Sequence, residues 1–368
     1  MNRILLTGGA GFIGSHLVHH LLQDSGHPPE RLVVLDALTY AGDRASLQDL
    51  SGDARLVFVE GSILDRGLAA RLIEEHRITA VMHLAAESHV DRSIDSAEPF
   101  VQANVLGTQV LLDVFRRRWS AAPPEQRHAM RFLHVSTDEV FGSLEPESPR
   151  FCESTPYAPR SPYAASKAAS DHLVRAAHHT HGLPVLITNC TNNYGPRQLP
   201  EKLIPLTLLN ALEGRALPIY GDGCQIRDWL YVGDHCRALE AVLHRGRPGE
   251  TYCIGGECER TNLALLDTLL ALLDELQPDA SGQSYARLKT FVADRPGHDR
   301  RYAMDIGKIQ SELGWSPQET LETGLRRTAA WYLEHRDWCA SRGHHRQRLG
   351  LASAQAQQES GVAAGRAG

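Results

Sequence analysis

The chain has 368 residues, more than one minimal core needs and fewer than three ordinary domains, so it predicts one large domain or two interlocked ones. Hydrophobic residues make up 42% and charged residues 22%, which is usual for a globular protein with a buried core. The net charge of −6 argues against nucleic acid and against an anionic membrane surface as partners, because both bind concentrated positive charge.

The seven cysteines are scattered and include no Cys-x-x-Cys pair, so they predict neither a zinc site nor a disulfide framework. We therefore expect a reduced, cytoplasmic location. The apolar residues 4–6 are too few for the core of a signal peptide, and no apolar run approaches the length that spans a membrane. His16 and His20 lie four apart on a predicted helix but lack a third ligand, and no metal is predicted.

Apolar runs alternate with helical stretches over the first half of the chain. The runs are RILLTG, RLVVLD, RLVFVEG, ITAVMHLA, RFLHVST and PVLITN. Periodicity and caps predict helices over 14–22, 67–76, 105–118, 163–181, 203–213 and 263–275. Such alternation forms a parallel sheet with helices on both faces, so we predict an α/β fold with a Rossmann-type, doubly wound parallel sheet.

The Rossmann-type domain is predicted over residues 1–190, with a returning segment near 228–255. After Asn189 the loops become dense in proline, glycine and charge, as in NNYGPRQLPEKLIP. Such loops usually line a site, so we expect a smaller, interleaved C-terminal substrate-binding domain over residues 191–338. Residues 342–368 are polar and rich in small residues, which predicts a disordered tail.

The stretch LLTGGAGFIGSHLV joins the first strand to the first helix through glycines, with Gly11 and Gly14 preceded by either Gly8 or Gly9. Glycines allow a tight turn, a close approach to a pyrophosphate and close packing of helix on strand. The helix N-terminus then offers free N–H groups and a positive dipole to phosphates. The pattern predicts a dinucleotide site, although alone it also occurs in chance turns.

Asp36 ends the second strand, 22 residues after Gly14. A carboxylate at this place accepts hydrogen bonds from both ribose hydroxyls and repels a 2′-phosphate, which favours NAD over NADP. The alternative role for Asp36 is the cap of a helix or turn.

Two further motifs carry acid–base chemistry. Tyr163 and Lys167 lie four apart on one helix face, where the ammonium and an oxidised nicotinamide favour a phenolate that can take a proton from a sugar hydroxyl. Thr137, Asp138 and Glu139 follow an apolar strand, where charge is costly unless it is used. Adjacent carboxylates in a partly dry site can differ in protonation. A solvated helix face and a helix cap are the alternatives.

Together these motifs and HLAAESHVDRS resemble the extended short-chain dehydrogenase/reductase superfamily. Within it, STDEVFG, NNYGPRQLPEKLIP, QIRDWLYVGDH and DRPGHDRRY resemble the dTDP-glucose 4,6-dehydratases, over Met1 to about Trp338. The resemblance implies an NAD-dependent lyase that converts dTDP-glucose to dTDP-4-keto-6-deoxyglucose and water for deoxysugar synthesis.

The resemblance also implies a role for each residue of the two motifs. Tyr163, assisted by Lys167, takes the O4 proton while hydride passes from C4 to NAD, and the new ketone acidifies the C5 proton. Glu139 removes that proton, and Asp138, held protonated, gives its own to the departing C6 hydroxyl. Thr137 donates a hydrogen bond to O4. Hydride returns to C6, so NAD is regenerated and stays bound.

Further contacts are implied only by the resemblance. Cofactor contacts are expected from Gly8, Gly11, Phe12, Ile13, Gly14, Asp36, Thr39, Ser62, Ile63, Leu84, Ala85, Ala86, Ser88, Tyr163, Lys167 and Asn193. Substrate contacts are expected from Ser88, Thr137, Asn192, Lys202, Leu203, Pro218, Tyr220, Arg227, Asn262, Arg295 and His298. A homodimer is expected, with helices around 105–118 and 163–180 in a shared bundle.

Three positions depart from the family pattern. Ser62 stands where an aspartate usually reaches the adenine amine, Phe141 replaces a tyrosine, and Arg197 replaces a frequent tyrosine or histidine. Because Arg197 is in the predicted substrate loop, it is expected to affect sugar or nucleotide preference.

Three other functions remain open. A UDP-glucose 4,6-dehydratase differs only in small features of its nucleotide. A nucleotide-sugar 4-epimerase needs no acid and base at C5 and C6, and typically has small hydroxyl residues where Asp138 and Glu139 stand. A non-catalytic NAD-binding regulator needs none of the five catalytic residues, all of which are present here.

Overall fold

The computed structural model describes residues 2–294 and 299–342. Within these ranges the strands are β1 (Arg3–Thr7), β2 (Arg31–Asp36), β3 (Leu56–Glu60), β4 (Ala80–His83), β5 (Arg131–Thr137), β6 (Val185–Cys190), β7 (Asn192–Tyr194), β8 (Leu217–Tyr220), β9 (Ile226–Tyr231), β10 (Thr251–Ile254), β11 (Glu259–Thr261) and β12 (Lys289–Val292). The helices are α1 (Phe12–His19), α2 (Arg66–Glu75), α3 (Val90–Asp95), α4 (Glu98–Phe100), α5 (Gly107–Ala121), α6 (Pro124–Arg127), α7 (Pro162–His181), α8 (Leu203–Leu212), α9 (Val232–Arg245), α10 (Asn262–Leu276), α11 (Gly307–Leu313), α12 (Leu321–Glu334) and α13 (Arg336–Ser341). Apart from Arg342, the predicted tail lies outside the described residues.

Seven parallel strands form the central sheet in the order β10-β6-β5-β4-β1-β2-β3. Successive side chains of a strand point to opposite faces. Ile4 and Leu6 of β1 therefore pack into one buried cluster with α1 and α9, whereas Leu5 packs into another with α2 and α5. Burial on both faces explains why the strands are continuously apolar. The predicted doubly wound α/β fold is confirmed.

All six predicted strands and six predicted helices are present, with ends within three residues of the predicted ones. Two helix ends that differ from the predicted ones lie beside π-helical turns. Val101–Leu106 is π-helical, so α5 begins at Gly107, and α1 passes at His20–Asp24 into a second such turn.

The chain after β6 builds two smaller sheets. One has the order β11-β9-β7, and the other pairs β12 with β8. A third apolar cluster joins α8, α10 and α12 through Leu208, Leu269 and Leu325. β10 returns to the edge of the central sheet beside β6, and α9 packs on that sheet, whereas β9 belongs to the three-stranded sheet. The domain limits stay a prediction.

Within residues 2–294 and 299–342, none of the helices combines the length and the apolar character needed to cross a membrane.

Candidate active site

The carboxyl ends of the central strands open into a cavity of about 770 Å³. Open parallel sheets bind ligands at this edge, where the strand order reverses, here between β1 and β4. All sixteen residues predicted to contact the cofactor and all five predicted to act in catalysis line this cavity, with Tyr163 and Lys167 in both sets.

Packing within the protein requires glycine at Gly8 and Gly14 but not at Gly11. A Cβ on Gly14 would lie 2.0 Å from the carbonyl oxygen of Gly8, and a Cβ on Gly8, whose φ is +74°, would lie 2.7 Å from the amide nitrogen of Ala85. A Cβ on Gly11 would meet no protein heavy atom closer than 3.5 Å. Gly11 lines the cavity and precedes α1, which no side chain caps. This surface is a cradle that a Cβ would fill and that suits a phosphate.

Asp36 combines the two roles considered for it. The side chain is buried at the end of β2 and lines the cavity. Its two carboxylate oxygens accept hydrogen bonds from the backbone N–H groups of Ala10 and Leu38, each at 2.8 Å. Asp36 is therefore a turn cap, but each oxygen keeps a second lone pair for a ribose hydroxyl. With the glycine cradle, this carboxylate makes the cavity fit NAD.

Thr137, Asp138 and Glu139 form the start of a 3₁₀ turn directly after β5. The Thr137 hydroxyl accepts a hydrogen bond from the Glu139 N–H at 3.3 Å and donates one to Oδ1 of Asp138 at 3.2 Å. Asp138 is only 3% exposed. Burial, and then the charge of Glu139, raises the pKa of Asp138 well above its ordinary value. The cap of this turn is Thr137, and burial favours the protonated form of Asp138.

Tyr163 and Lys167 lie one turn apart on α7, and both are buried. Lys167 Nζ donates a hydrogen bond to the carbonyl oxygen of Val135 at 2.9 Å. Burial, followed by the charge of Glu139, raises the pKa of Tyr163 well above its ordinary value. In the protein alone burial and carboxylate charge favour the protonated phenol, and positive charge added to the cavity would favour the phenolate.

The predicted substrate residues fall into three groups. The residues that line the cavity are Ser88, Thr137, Asn192 and Lys202. Those on α8, β8, β9 and α10 that lie outside its lining are Leu203, Pro218, Tyr220, Arg227 and Asn262. Arg295 and His298 lie outside the described residues.

Arg227 is close to the 3₁₀ turn that Thr137 caps, here called the catalytic turn, although it does not line the cavity. It is buried, donates a hydrogen bond to the carbonyl oxygen of Asp299 at 2.9 Å, and places its guanidinium 4.5 Å from the centre of the Tyr302 ring. Its positive charge opposes the effect of burial on the pKa of Asp138. After burial, the charge of Glu139 contributes most to the raised pKa of Tyr302. This group therefore brings β9 and the chain around residue 300 to the edge of the site.

Sequence reasoning missed several polar residues of the cavity, among them Cys190, Gln198 and Glu201. Glu201 is buried, and within the described part of the chain neither of its carboxylate oxygens has a hydrogen-bond partner. The nearest basic group is Nε2 of His89, 3.6 Å from one of them. Burial raises the pKa of Glu201. Its position directly before Lys202 in PEKLIP was the available signal.

Phe141 has a packing role. It is buried, its ring stacks on Phe151 with the centroids 5.1 Å apart, and the ring of Tyr157 meets it edge-on at the same distance. A tyrosine hydroxyl at this position would need a polar partner in an apolar cluster.

The other two departures differ in their relation to the cavity. Ser62 lines it, and the Ser62 hydroxyl accepts a hydrogen bond from the Leu64 N–H at 3.1 Å. Arg197 does not line it, and its guanidinium lies 3.3 Å from the ring of His19 on α1. The position of Arg197 outside the cavity lining therefore does not support the expectation that this residue affects substrate preference.

The chain matches known proteins over most of its length. Residues 5–328 match the family model described as GDP-mannose 4,6 dehydratase. The dTDP-glucose 4,6-dehydratase of Xanthomonas campestris pv. campestris (strain B100) is 54% identical over 334 residues, which cover 91% of this chain and 94% of that protein.

Solved structures extend the comparison. The crystal structure of DesIV (dTDP-glucose 4,6-dehydratase) from Streptomyces venezuelae, with NAD bound, has a TM-score of 0.82 and 50% identity and covers 91% of this chain and 98% of that one. The UDP-glucose 4-epimerase of Thermotoga maritima has a TM-score of 0.78 and 29% identity over 91% of this chain and 99% of that one. The fold is thus shared with epimerases, whereas about half of the residues are identical to those of dehydratases. The chain belongs to the GDP-mannose 4,6 dehydratase family, and within it to the dTDP-glucose 4,6-dehydratases.

Proposed function

We propose that this protein removes water from dTDP-glucose to give dTDP-4-keto-6-deoxyglucose, with NAD as a cofactor regenerated in each turnover. The observation that carries the proposal is Asp138, a buried carboxyl beside Glu139 in the cavity that also holds Tyr163 and Lys167, where burial favours its protonated form. A 4-epimerase needs the tyrosine and the lysine but has no use for an acid and a base that eliminate water. The similarity to dTDP-glucose 4,6-dehydratases supports the same substrate.

The glycine cradle at Gly11 and the carboxylate of Asp36 would hold NAD. The bound cofactor would supply a hydride acceptor for C4 and a hydride donor for C6, and its oxidised ring would add positive charge to the cavity. Positive charge is what Tyr163 requires, because burial and carboxylates otherwise keep its phenol protonated.

Tyr163 starts the reaction as the base that takes the proton from O4 of the sugar. Lys167 holds a positive charge near the phenolate that results, and its ammonium is fixed by the carbonyl oxygen of Val135. Thr137 lines the same cavity, but its hydroxyl donates its one proton to Oδ1 of Asp138. Tyr163 and Lys167 therefore account for the oxidation half of the reaction.

Asp138 and Glu139 serve the elimination. Glu139 removes the proton from C5, and Asp138 gives its proton to the hydroxyl leaving C6, so that water departs. The two carboxyls can have opposite protonation states because Asp138 is buried whereas Glu139 is half-buried. The Thr137 hydrogen bond to Oδ1 of Asp138 leaves Oδ2 for the proton.

We also infer a homodimer. Ile94 on α3, and Val101 and Leu106 in the π-helical turn before α5, are 62%, 52% and 52% exposed. Large apolar side chains exposed together usually mark an interface. The double substitution Val101→Lys with Leu106→Lys is expected to give a monomer in sedimentation, whereas Phe291→Lys, at a residue 59% exposed on β12, is expected to leave a dimer. A monomeric wild type at micromolar concentration would refute the inference.

A cytoplasmic location is part of the proposal. All seven cysteines lie within the described residues, and there none forms a disulfide. Four of them are buried, so the fold uses them as apolar side chains. This usage suits a reducing compartment.

The decisive experiment incubates purified protein with dTDP-glucose or UDP-glucose, without added NAD. We expect a 4-keto-6-deoxy product from dTDP-glucose and no net formation of NADH, because the cofactor is bound and regenerated. A product epimerised at C4 would refute the dehydratase function, and preferential turnover of UDP-glucose would reassign the nucleotide.

A further inference from the structure

A group of buried polar side chains that the proposed reaction does not use lies behind the catalytic turn. Its centre is Asp171 on α7, whose carboxylate is completely buried. The hydroxyl of Tyr157 and the amide of Asn189 donate hydrogen bonds to Oδ2 at 2.7 and 3.2 Å, and Nε2 of His134 lies 3.2 Å from Oδ1. Burial favours the neutral acid, but His134, Lys167 and Tyr157 outweigh it and lower the pKa of Asp171. The two donors on Oδ2 and the lowered pKa favour the ionised form of Asp171.

Asn189 connects this charge to the catalytic turn. The same Nδ2 that contacts Asp171 donates a hydrogen bond to the carbonyl oxygen of Thr137 at 3.0 Å. Thr137 is the last residue of β5 and the cap of the turn that presents Asp138. The amide that fixes Thr137 is therefore oriented by the carboxylate of Asp171.

Asp171 also provides the negative charge that acts most on Lys167, one helical turn before it. Burial lowers the pKa of Lys167, and Asp171 opposes that shift. Three other titratable groups interact electrostatically with the Lys167 ammonium. They are His83 of β4, His134 of β5 and Cys190 of β6. All three are neutral, because burial lowers the pKa of His134 to about 4 and that of His83 well below its ordinary value, and raises that of Cys190 to about 12.

We propose that Asp171 is a positioning residue of this reaction, which holds Thr137 in place through Asn189 and sets its carboxylate one helical turn from Lys167. It touches no reacting atom and acts only through these neighbours. The proposal rests on the dehydratase function.

The test is Asp171→Asn in the full-length holoenzyme. Its kcat is expected to fall about tenfold to a hundredfold, the cost of small misplacements at a site, with little change in KM. The alkaline limb of the kcat–pH profile is expected to move down by about one pH unit, because Lys167 loses its proton more easily without the negative charge.

The matched control is Asp234→Asn. Asp234 is equally buried, but its carboxylate accepts hydrogen bonds from the N–H groups of Gln318 and Glu319, outside the cavity. This control should lower thermal stability and leave the alkaline limb where the wild type has it.

If the Asp171→Asn variant folds and its kcat falls at the same alkaline pH as that of the wild type, the proposal is overturned. If that variant does not fold, Asn189→Ser tests the same connection: a lower kcat at unchanged KM supports it, and a wild-type kcat overturns it. Failure of the dehydratase function is seen separately, because wild-type protein would then form no 4-keto-6-deoxy product from dTDP-glucose.

Discussion

The hydroxyl of Thr137 donates a hydrogen bond to Oδ1 of Asp138 at 3.2 Å, and among the described residues Oδ2 of the same carboxyl has no partner although it is buried. A buried ionised oxygen without a donor is costly, so the proton belongs on Oδ2. This arrangement keeps Asp138, a residue of the cavity lining, in its acid form and explains why two carboxyl groups follow an apolar strand.

Replacing Asp138 by asparagine removes the proton donor but keeps the shape of the side chain. We expect kcat for formation of the 4-keto-6-deoxy product to fall about a hundredfold or more, as for loss of a general acid. Oxidation at C4 should continue, so absorbance of reduced cofactor should accumulate on addition of dTDP-glucose. Thr137→Ser keeps the hydroxyl and is expected to stay close to wild type. An Asp138→Asn protein with a wild-type kcat would remove Asp138 from the mechanism.

The same substitution is expected to make the protein more stable. Because the folded-state pKa of Asp138 is raised, the unfolded chain releases this proton at lower pH, so stability is lost as the pH rises from the unfolded pKa towards the folded one. Asparagine stays neutral throughout. Thermal unfolding should therefore show a higher melting temperature for Asp138→Asn at about pH 7, with a smaller difference near pH 4. A lower melting temperature at neutral pH would contradict a buried neutral acid.

Glu139→Gln separates oxidation from elimination. The variant should still oxidise C4, because Tyr163 and Lys167 are untouched, but it should not exchange the C5 proton with solvent. Incubation with dTDP-glucose in deuterium oxide, followed by mass spectrometry of the sugar, measures that exchange. Glu147→Gln, at an exposed carboxylate of the following segment, is the control and should exchange as the wild type does. Undiminished exchange in Glu139→Gln would mean that another group is the base.

Two glycines of the cofactor cradle are expected to respond differently to alanine. Gly11→Ala should fold normally, since its Cβ meets no protein atom closer than 3.5 Å, but it should bind NAD at least about tenfold more weakly because the pyrophosphate needs that space. Gly14→Ala should fail to fold, since its Cβ would lie 2.0 Å from a carbonyl oxygen. Gly52→Ala, where a Cβ meets nothing within 4 Å, is the control. The amount of NAD released on denaturation and the melting temperature distinguish the variants. An unchanged NAD content in Gly11→Ala would show that NAD does not bind at the glycine cradle.

The sequence predicted the cavity well because its motifs are local. Asp36 and Thr137 end strands of the same parallel sheet and Gly11 follows another, and parallel strands place their carboxyl ends together. Long-range partners were harder to predict. Asp171 follows Lys167 by one helical turn, so helical spacing could have suggested it, but only the fold brings Asn189 of β6 beside it.

The role of Phe141 could not be predicted because its partner Phe151 lies ten residues further on, in a segment without regular structure. That segment is held by isolated bridges to the chain around residues 301–304, which are distant in sequence. No local pattern encodes such a contact.

Ser62 lines the cavity at a position where the resemblance to the family implies an aspartate. The serine hydroxyl accepts the Leu64 N–H at 3.1 Å, a bond that an aspartate can also accept while it offers a second oxygen to the cofactor. Ser62→Asp is therefore expected to lower the Kd for NAD about fivefold, equivalent to about 1 kcal/mol for one net hydrogen bond. Ser62→Ala, which loses the bond to Leu64, should not bind NAD more tightly. Titration of NAD into apoprotein measures both, and equal Kd values for Ser62→Asp and wild type would show that the adenine contact does not depend on this position.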